Sequence, residues 1–248
     1  MMIKRILIPL LTLASLNAAA NNCAQLPTHK ELTSALKQVV KPTGGMSNGG
    51  LDLNMWATIV SRSGEVCQVT MSGKDVGDQW PGSRVISAQK ANTANAFSLP
   101  GLALSTANLW APTQPGGSLY GLQHSNPVDT SVAYRGEARD FGGKNDPMQG
   151  SRIGGVNVFG GGLALYNKKG TLLGALGVSG DTSCADHNIA WKLRDTLKLD
   201  FVPQGVSATG DDNIIFDVNN GFHHPECGGN EVAVAIKLPS GYPTSNLN

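Results

Sequence analysis

Charged side chains are scarce, at 15% of 248 residues, and neither sign prevails: 19 Lys and Arg stand against 18 Asp and Glu. That balance carries no electrostatic footprint for nucleic acid or an anionic membrane surface, and so few charges exclude a long coiled coil. Long apolar runs are lacking too. Ile6–Leu16 covers about eleven residues where a spanning helix needs roughly twenty, so no stable membrane insertion is expected. Neither Cys-x-x-Cys nor Cys-x-x-Cys-His occurs, which removes the usual zinc spacing and covalent c-type haem attachment. With 40% hydrophobic residues the chain can still build a sizeable core.

Against these absences stand 31 glycines, so turns and close backbone approaches must be plentiful. Lys4-Arg5, the run Ile6–Leu16 and Ala18-Ala19-Ala20 read as a signal peptide cut after about Ala20, giving a periplasmic or secreted protein. Asn21-Asn22 precede Cys23 where a lipid-attachment box needs small residues. An oxidising compartment favours disulfides for the four cysteines, Cys23, Cys67, Cys184 and Cys227. Three pairings exist, and the grouping makes Cys23–Cys67 with Cys184–Cys227 the economical one; a structural zinc site is the alternative.

Thr28 with Glu31 is a capping box for a helix that runs to Pro42. Met55–Val60 and Val66–Met71 flank a short turn as a hairpin. Ser83 can cap a helix over about Arg84–Phe97, and a short helical piece is expected over Ser105–Leu109. From about 111 to 152 Pro and Gly punctuate the chain with no sustained apolar period, an insertion that can serve as a lid. Ile153–Phe159, Leu163–Tyr166 and Thr171–Val178 read as strands of a meander. A third helix follows Asp181–Ser183, and a C-terminal extension of about 203–238 holds an expected strand at Ile214–Val218 and the apolar run Val232–Ile236. Residues 239–248 are expected as a flexible tail. The order predicts a single α+β domain over 21–238, roughly five antiparallel strands flanked by helices.

Gly161-Gly162-Leu163-Ala164-Leu165-Tyr166, a Lys-Gly turn and Gly174-Ala175-Leu176-Gly177-Val178-Ser179-Gly180-Asp181 entering a helix together resemble the GlcG/HbpS family of haem-binding proteins, related to the C-terminal domain of PduO-type proteins. Ser87-Ala88-Gln89-Lys90-Ala91-Asn92-Thr93-Ala94 is similar to a second family block. The resemblance spans roughly Leu26 to Leu199. Family members commonly have Pro at the position of Ala164 and lack both the insertion and the cysteine-bearing extension. The resemblance implies a profilin-like layout, a homo-oligomer, and haem binding tied to sensing or sequestration, and without Cys-x-x-Cys-His any haem is expected to be non-covalent. It supplies no axial-ligand motif.

The ligand contacts must therefore be sought among the residues themselves. His29 lies in the first turn of a surface helix and is set aside, whereas His124 in the insertion can reach over a ligand. Cys184 and His187 share a helix face, and a Cys184–Cys227 bridge gathers His187, His223, His224 and Glu226 as a candidate transition-metal or haem-iron site. Gly177-Val178-Ser179-Gly180-Asp181 misses the Gly-x-Ser-x-Gly nucleophile pattern. Gly161, Gly162, Ser179, Gly180 and Lys90 instead suggest a donor-lined hollow for haem propionate or another small anion. Two alternatives stay open: an isomerase or hydratase of a small carboxylated metabolite with Lys90 as electrostatic clamp, and an accessory sensor module without catalysis.

Overall fold

Glu31 closes the capping box on Thr28, and α1 (His29–Val40) buries Leu32, Ala35, Leu36, Val39 and Val40 on one side. The computed structural model to which this helix belongs describes residues 22–41 and 47–245. The expected leader and its cleavage site lie outside the described residues. Strands β1 (Trp56–Ser61), β2 (Val66–Met71), β3 (Gly162–Tyr166) and β4 (Leu172–Ser179) form one antiparallel sheet in the order β2-β1-β4-β3. The sheet has four strands rather than the expected five. Ile153–Phe159 does not pair as a strand because Gly154 and Gly155 both take positive φ, which turns the chain out of an extended course.

Helix α2 (Ser83–Phe97) covers one face of the sheet, and α1 with α6 (Ser183–Thr196) covers the other. Alternation along the strands divides the core accordingly. Ala57, Ile59, Leu176 and Val178 pack toward α1 and α6, while Trp56, Val60 and Ala175 pack toward Val85, Ala88 and Ala91 of α2. Gly162 and Gly177 sit opposite each other in neighbouring strands. A Cβ at Gly177 would lie 1.9 Å from the Ser87 carbonyl oxygen, and one at Gly162 would lie 2.5 Å from that of Lys90. The paired glycines therefore form a groove in which the α2 backbone rests. Ser83 is the first helical residue and makes no side-chain cap; Gly82 holds the cap position.

The insertion contains α3 (Trp110–Thr113), α4 (Leu122–Ser125) and α5 (Thr130–Ala133) and is docked rather than loose. Asp146 accepts from Arg84 Nε at 2.9 Å and from the amides of Gly142 and Met148, so one buried carboxylate ties the segment to α2. Arg194 makes the matching link to the extension, with two 2.7 Å bonds to Asp212. Ile214–Val218 is not a strand, since the Ile214 amide turns to His187 and the Asn213 side chain instead of a neighbouring strand. The run Val232–Ile236 lies in α7 (Glu231–Gly241), where Val234, Ala235 and Leu238 are buried at helical spacing. The expected tail begins within that helix, and beyond it the Tyr242 carbonyl accepts from Trp191 Nε1 while Ser245 meets Asp200. Both disulfides join the expected partners, Cys23–Cys67 and Cys184–Cys227.

Candidate functional site

Lys90 projects from α2 past the edge of the sheet to the start of α6. Its Nζ donates to Asp186 Oδ2 at 2.6 Å and to the Val178 carbonyl at 3.1 Å, and Asp186 Oδ1 accepts from the Asp181 amide at 2.9 Å. Both side chains are sealed from solvent. Burial pushes the Asp186 carboxyl up to about 6 against the pull of Lys90, and the same burial lowers the Lys90 ammonium against the pull of Asp186. Gly161 takes φ +113, and a Cβ there would lie 2.4 Å from the Val178 carbonyl oxygen. Gly180 backs onto the Asn54 carbonyl and Ser179 is buried beside Trp56 in the sheet.

The hollow expected among Lys90, Gly161, Gly162, Ser179 and Gly180 is thus filled by the protein's own ion pair. The amides of α6 are engaged as well: Ala185 donates to Thr182 Oγ1 and Cys184 to Cys227 Sγ. This corrects the reading of these residues as a ligand surface, because the cation offered to a guest is neutralised internally. The Lys90 ammonium is buried against Asp186 and so is not presented as the clamp of a carboxylate-processing enzyme.

The expected imidazole cluster also separates. The Ile214 amide donates to His187 Nε2 at 3.1 Å and Asn213 Oδ1 lies 3.2 Å from it, while His187 Nδ1 has no partner among the described residues. His224 lies between Ser183 Oγ at its Nε2 and the Pro225 carbonyl at its Nδ1, both at 2.7 Å. Burial lowers His187 to about 3 and His224 to about 4, so both are neutral near pH 7. Glu226 is exposed. The buried carboxylate of this region is Glu231, which accepts from the amides of Cys227, Gly228 and Gly229 and which sequence reasoning missed. Among the described residues, only Cys184, His224 and Cys227 bring ligand atoms within 4.8 Å of one another, and the two sulfurs are in the disulfide. The four-residue metal site His187, His223, His224 and Glu226 is therefore not assembled.

His223 faces elsewhere. It lines a cleft of about 590 Å³ between the end of α2, the segment through α3 and residues 218–223, walled by Phe97, Leu104, Leu109, Leu119 and Phe222. The His223 ring centroid is 5.5 Å from that of Trp110, and its carbonyl accepts from the Ala111 amide at 3.2 Å. Three other clefts are lined without any histidine. His124 is exposed on α4 and does not line the His223 cleft, whereas His29 Nε2 contacts the Gly142 carbonyl. The cleft walls come from stretches far apart in the chain, and Asn219-Asn220-Gly221 ahead of His223 was the one local signal of a turn presenting that side chain.

A sequence-family profile described as haem degrading protein, HbpS-like, matches residues 46–194. The chain belongs to that HbpS-like family. No curated protein matches it in sequence. Among solved structures it is similar to the PduOC:heme complex, at 23% identity over 68% of this chain and 91% of that one, with a TM-score of 0.47. It is also similar to Klebsiella pneumoniae protein ORFY, at 22% identity over 71% of this chain and 87% of that one, with a TM-score of 0.45. The HbpS-like match ends at Arg194, so the wall of the cleft that carries His223 lies beyond the matched residues.

The residues of the cleft fit a haem. Its volume falls in the roughly 300–1,000 Å³ range of pockets that take cofactor-sized ligands, and an apolar wall with one imidazole suits an iron porphyrin. No Lys or Arg lines it, so the carboxylates of such a guest would remain in water.

Proposed function

We propose that this protein binds haem non-covalently, in an exported form released from its leader at about Ala20, and acts in haem sequestration or sensing as a homo-oligomer. The observation that carries the reading is an apolar, imidazole-bearing cleft of cofactor size on a chain of the HbpS-like family. Apolar walls favour the porphyrin face by roughly 25 cal/mol per Å² removed from water, and a neutral imidazole is a good iron donor. The absence of Cys-x-x-Cys-His from the sequence makes the haem exchangeable.

Titration of the purified mature protein with hemin tests the reading. A saturable Soret shift at micromolar hemin is expected, and no shift at that concentration overturns it. Intact mass of the exported protein tests cleavage near Ala20, and light scattering with and without hemin tests the oligomer.

A further inference from the structure

Of the five histidines, His223 is the one that combines a fixed ring with an unpartnered nitrogen beside an apolar cleft. Its Nδ1 lies 2.8 Å from the Asn220 carbonyl oxygen. A carbonyl only accepts, so the ring of neutral His223 carries its proton on Nδ1 and its lone pair on Nε2. Nε2 meets no hydrogen-bond partner among the described residues, and His223 is one of the residues that line the cleft. The backbone is pinned on both sides, by the His223 amide donating to Asn220 and the Ala111 amide donating to the His223 carbonyl. A carbonyl that orients an imidazole and fixes its tautomer is the usual partner of a metal-binding histidine.

The other imidazoles are not so placed. Both nitrogens of His224 are in contact with protein groups, and His187 is fully buried with Nε2 engaged. Around the cleft, Val218 is 71% exposed and Phe222 36% exposed, apolar surface that a flat hydrophobic guest would cover.

We propose that His223 Nε2 is the axial ligand to haem iron, with the porphyrin lying in the cleft between the α3 segment and residues 218–223. This rests on the haem reading above and places the iron contact in the extension, beyond the residues shared with the family profile.

The test is a hemin titration of the full mature chain, wild type against His223→Ala, with His124→Ala as an exposed-histidine control. His223→Ala is expected to weaken hemin binding by about tenfold or more and to move the Soret band, and added imidazole should restore the band. His124→Ala should match wild type. In the wild-type ferric complex, pulsed paramagnetic resonance with ¹⁵N-labelled histidine should show coupling to one imidazole nitrogen, a readout that does not depend on the variant folding. Wild type that fails to bind hemin overturns the haem reading itself. Wild type that binds, with an unchanged Soret band and affinity in His223→Ala or no histidine coupling, overturns only the ligand assignment.

Discussion

Lys90 and Asp186, 96 residues apart, meet at 2.6 Å with both side chains cut off from water, and their contact closes the junction of α2, β4 and α6. The pair occupies the space expected, from the glycine-rich strands and the helix start, to receive an anion. It is a joint of the fold, and its removal should be felt in stability.

Lys90→Met leaves the Asp186 carboxylate buried without its cation. Loss of one partner of a buried pair costs about 3–5 kcal/mol, and urea unfolding should show a drop of that order. The double variant Lys90→Met/Asp186→Leu should recover much of it. Equal loss in the single and double variants would show that volume, not charge, governs the joint.

Gly177→Ala should destabilise by about 2 kcal/mol or more, because the new methyl would lie 1.9 Å from the Ser87 carbonyl oxygen and α2 must move. Gly101→Ala, where a Cβ meets nothing within 4 Å, should stay within about 0.5 kcal/mol of wild type. Thermal melts of the two variants side by side decide the matter.

The Cys184–Cys227 bridge spans 43 residues and ties the segment after His223 and His224 to the start of α6. The double variant Cys184→Ser/Cys227→Ser should lose about 3–4 kcal/mol in unfolding free energy. Its hemin affinity should fall as well, because the wall carrying His223 loses an anchor four residues away. Stable variants with undiminished hemin binding would mean that the Ala111 and Asn220 contacts alone hold that wall. Intact mass before and after alkylation without reductant should show no modified cysteine in wild type.

Acid should weaken the protein through two imidazoles. Burial lowers His187 to about 3 and His224 to about 4 from 6.5, so between these values and 6.5 the unfolded chain binds protons that the folded one does not. Their contribution is whole above pH 6.5 and is lost as pH falls toward the folded values, by up to about 1.4 kcal/mol per pH unit for each group. Asp186, raised from 3.8 to about 6, acts in the opposite direction between those two values. Unfolding free energy measured at pH 7 and pH 5 should therefore fall less for His187→Gln than for wild type. Parallel curves would remove His187 from the account.

Much of the frame was legible from residue order, because its signals are local. Thr28 and Glu31 mark a helix start within one turn, short apolar runs bounded by turn residues mark β1 and β4, which are buried along their whole length, and the early and late pairs of cysteines suggest their own partners. Local patterns misled where backbone geometry intervened: Gly154 and Gly155 break an apolar run that reads as a strand, and α7 takes up Val232–Ile236 through packing on α6.

The amino-acid sequence by itself determined the α+β class, the caps of α1 and α6 and the family resemblance, all of which rest on short-range spacing or on similarity along the chain. Tertiary structure alone decided that Lys90 is spent on Asp186, that Gly162 and Gly177 make room for a helix, and that His223, not His187, faces the apolar cleft. Those are partnerships between residues brought together by the packing of whole elements, and the direction a side chain takes there depends on what its neighbours have left unfilled.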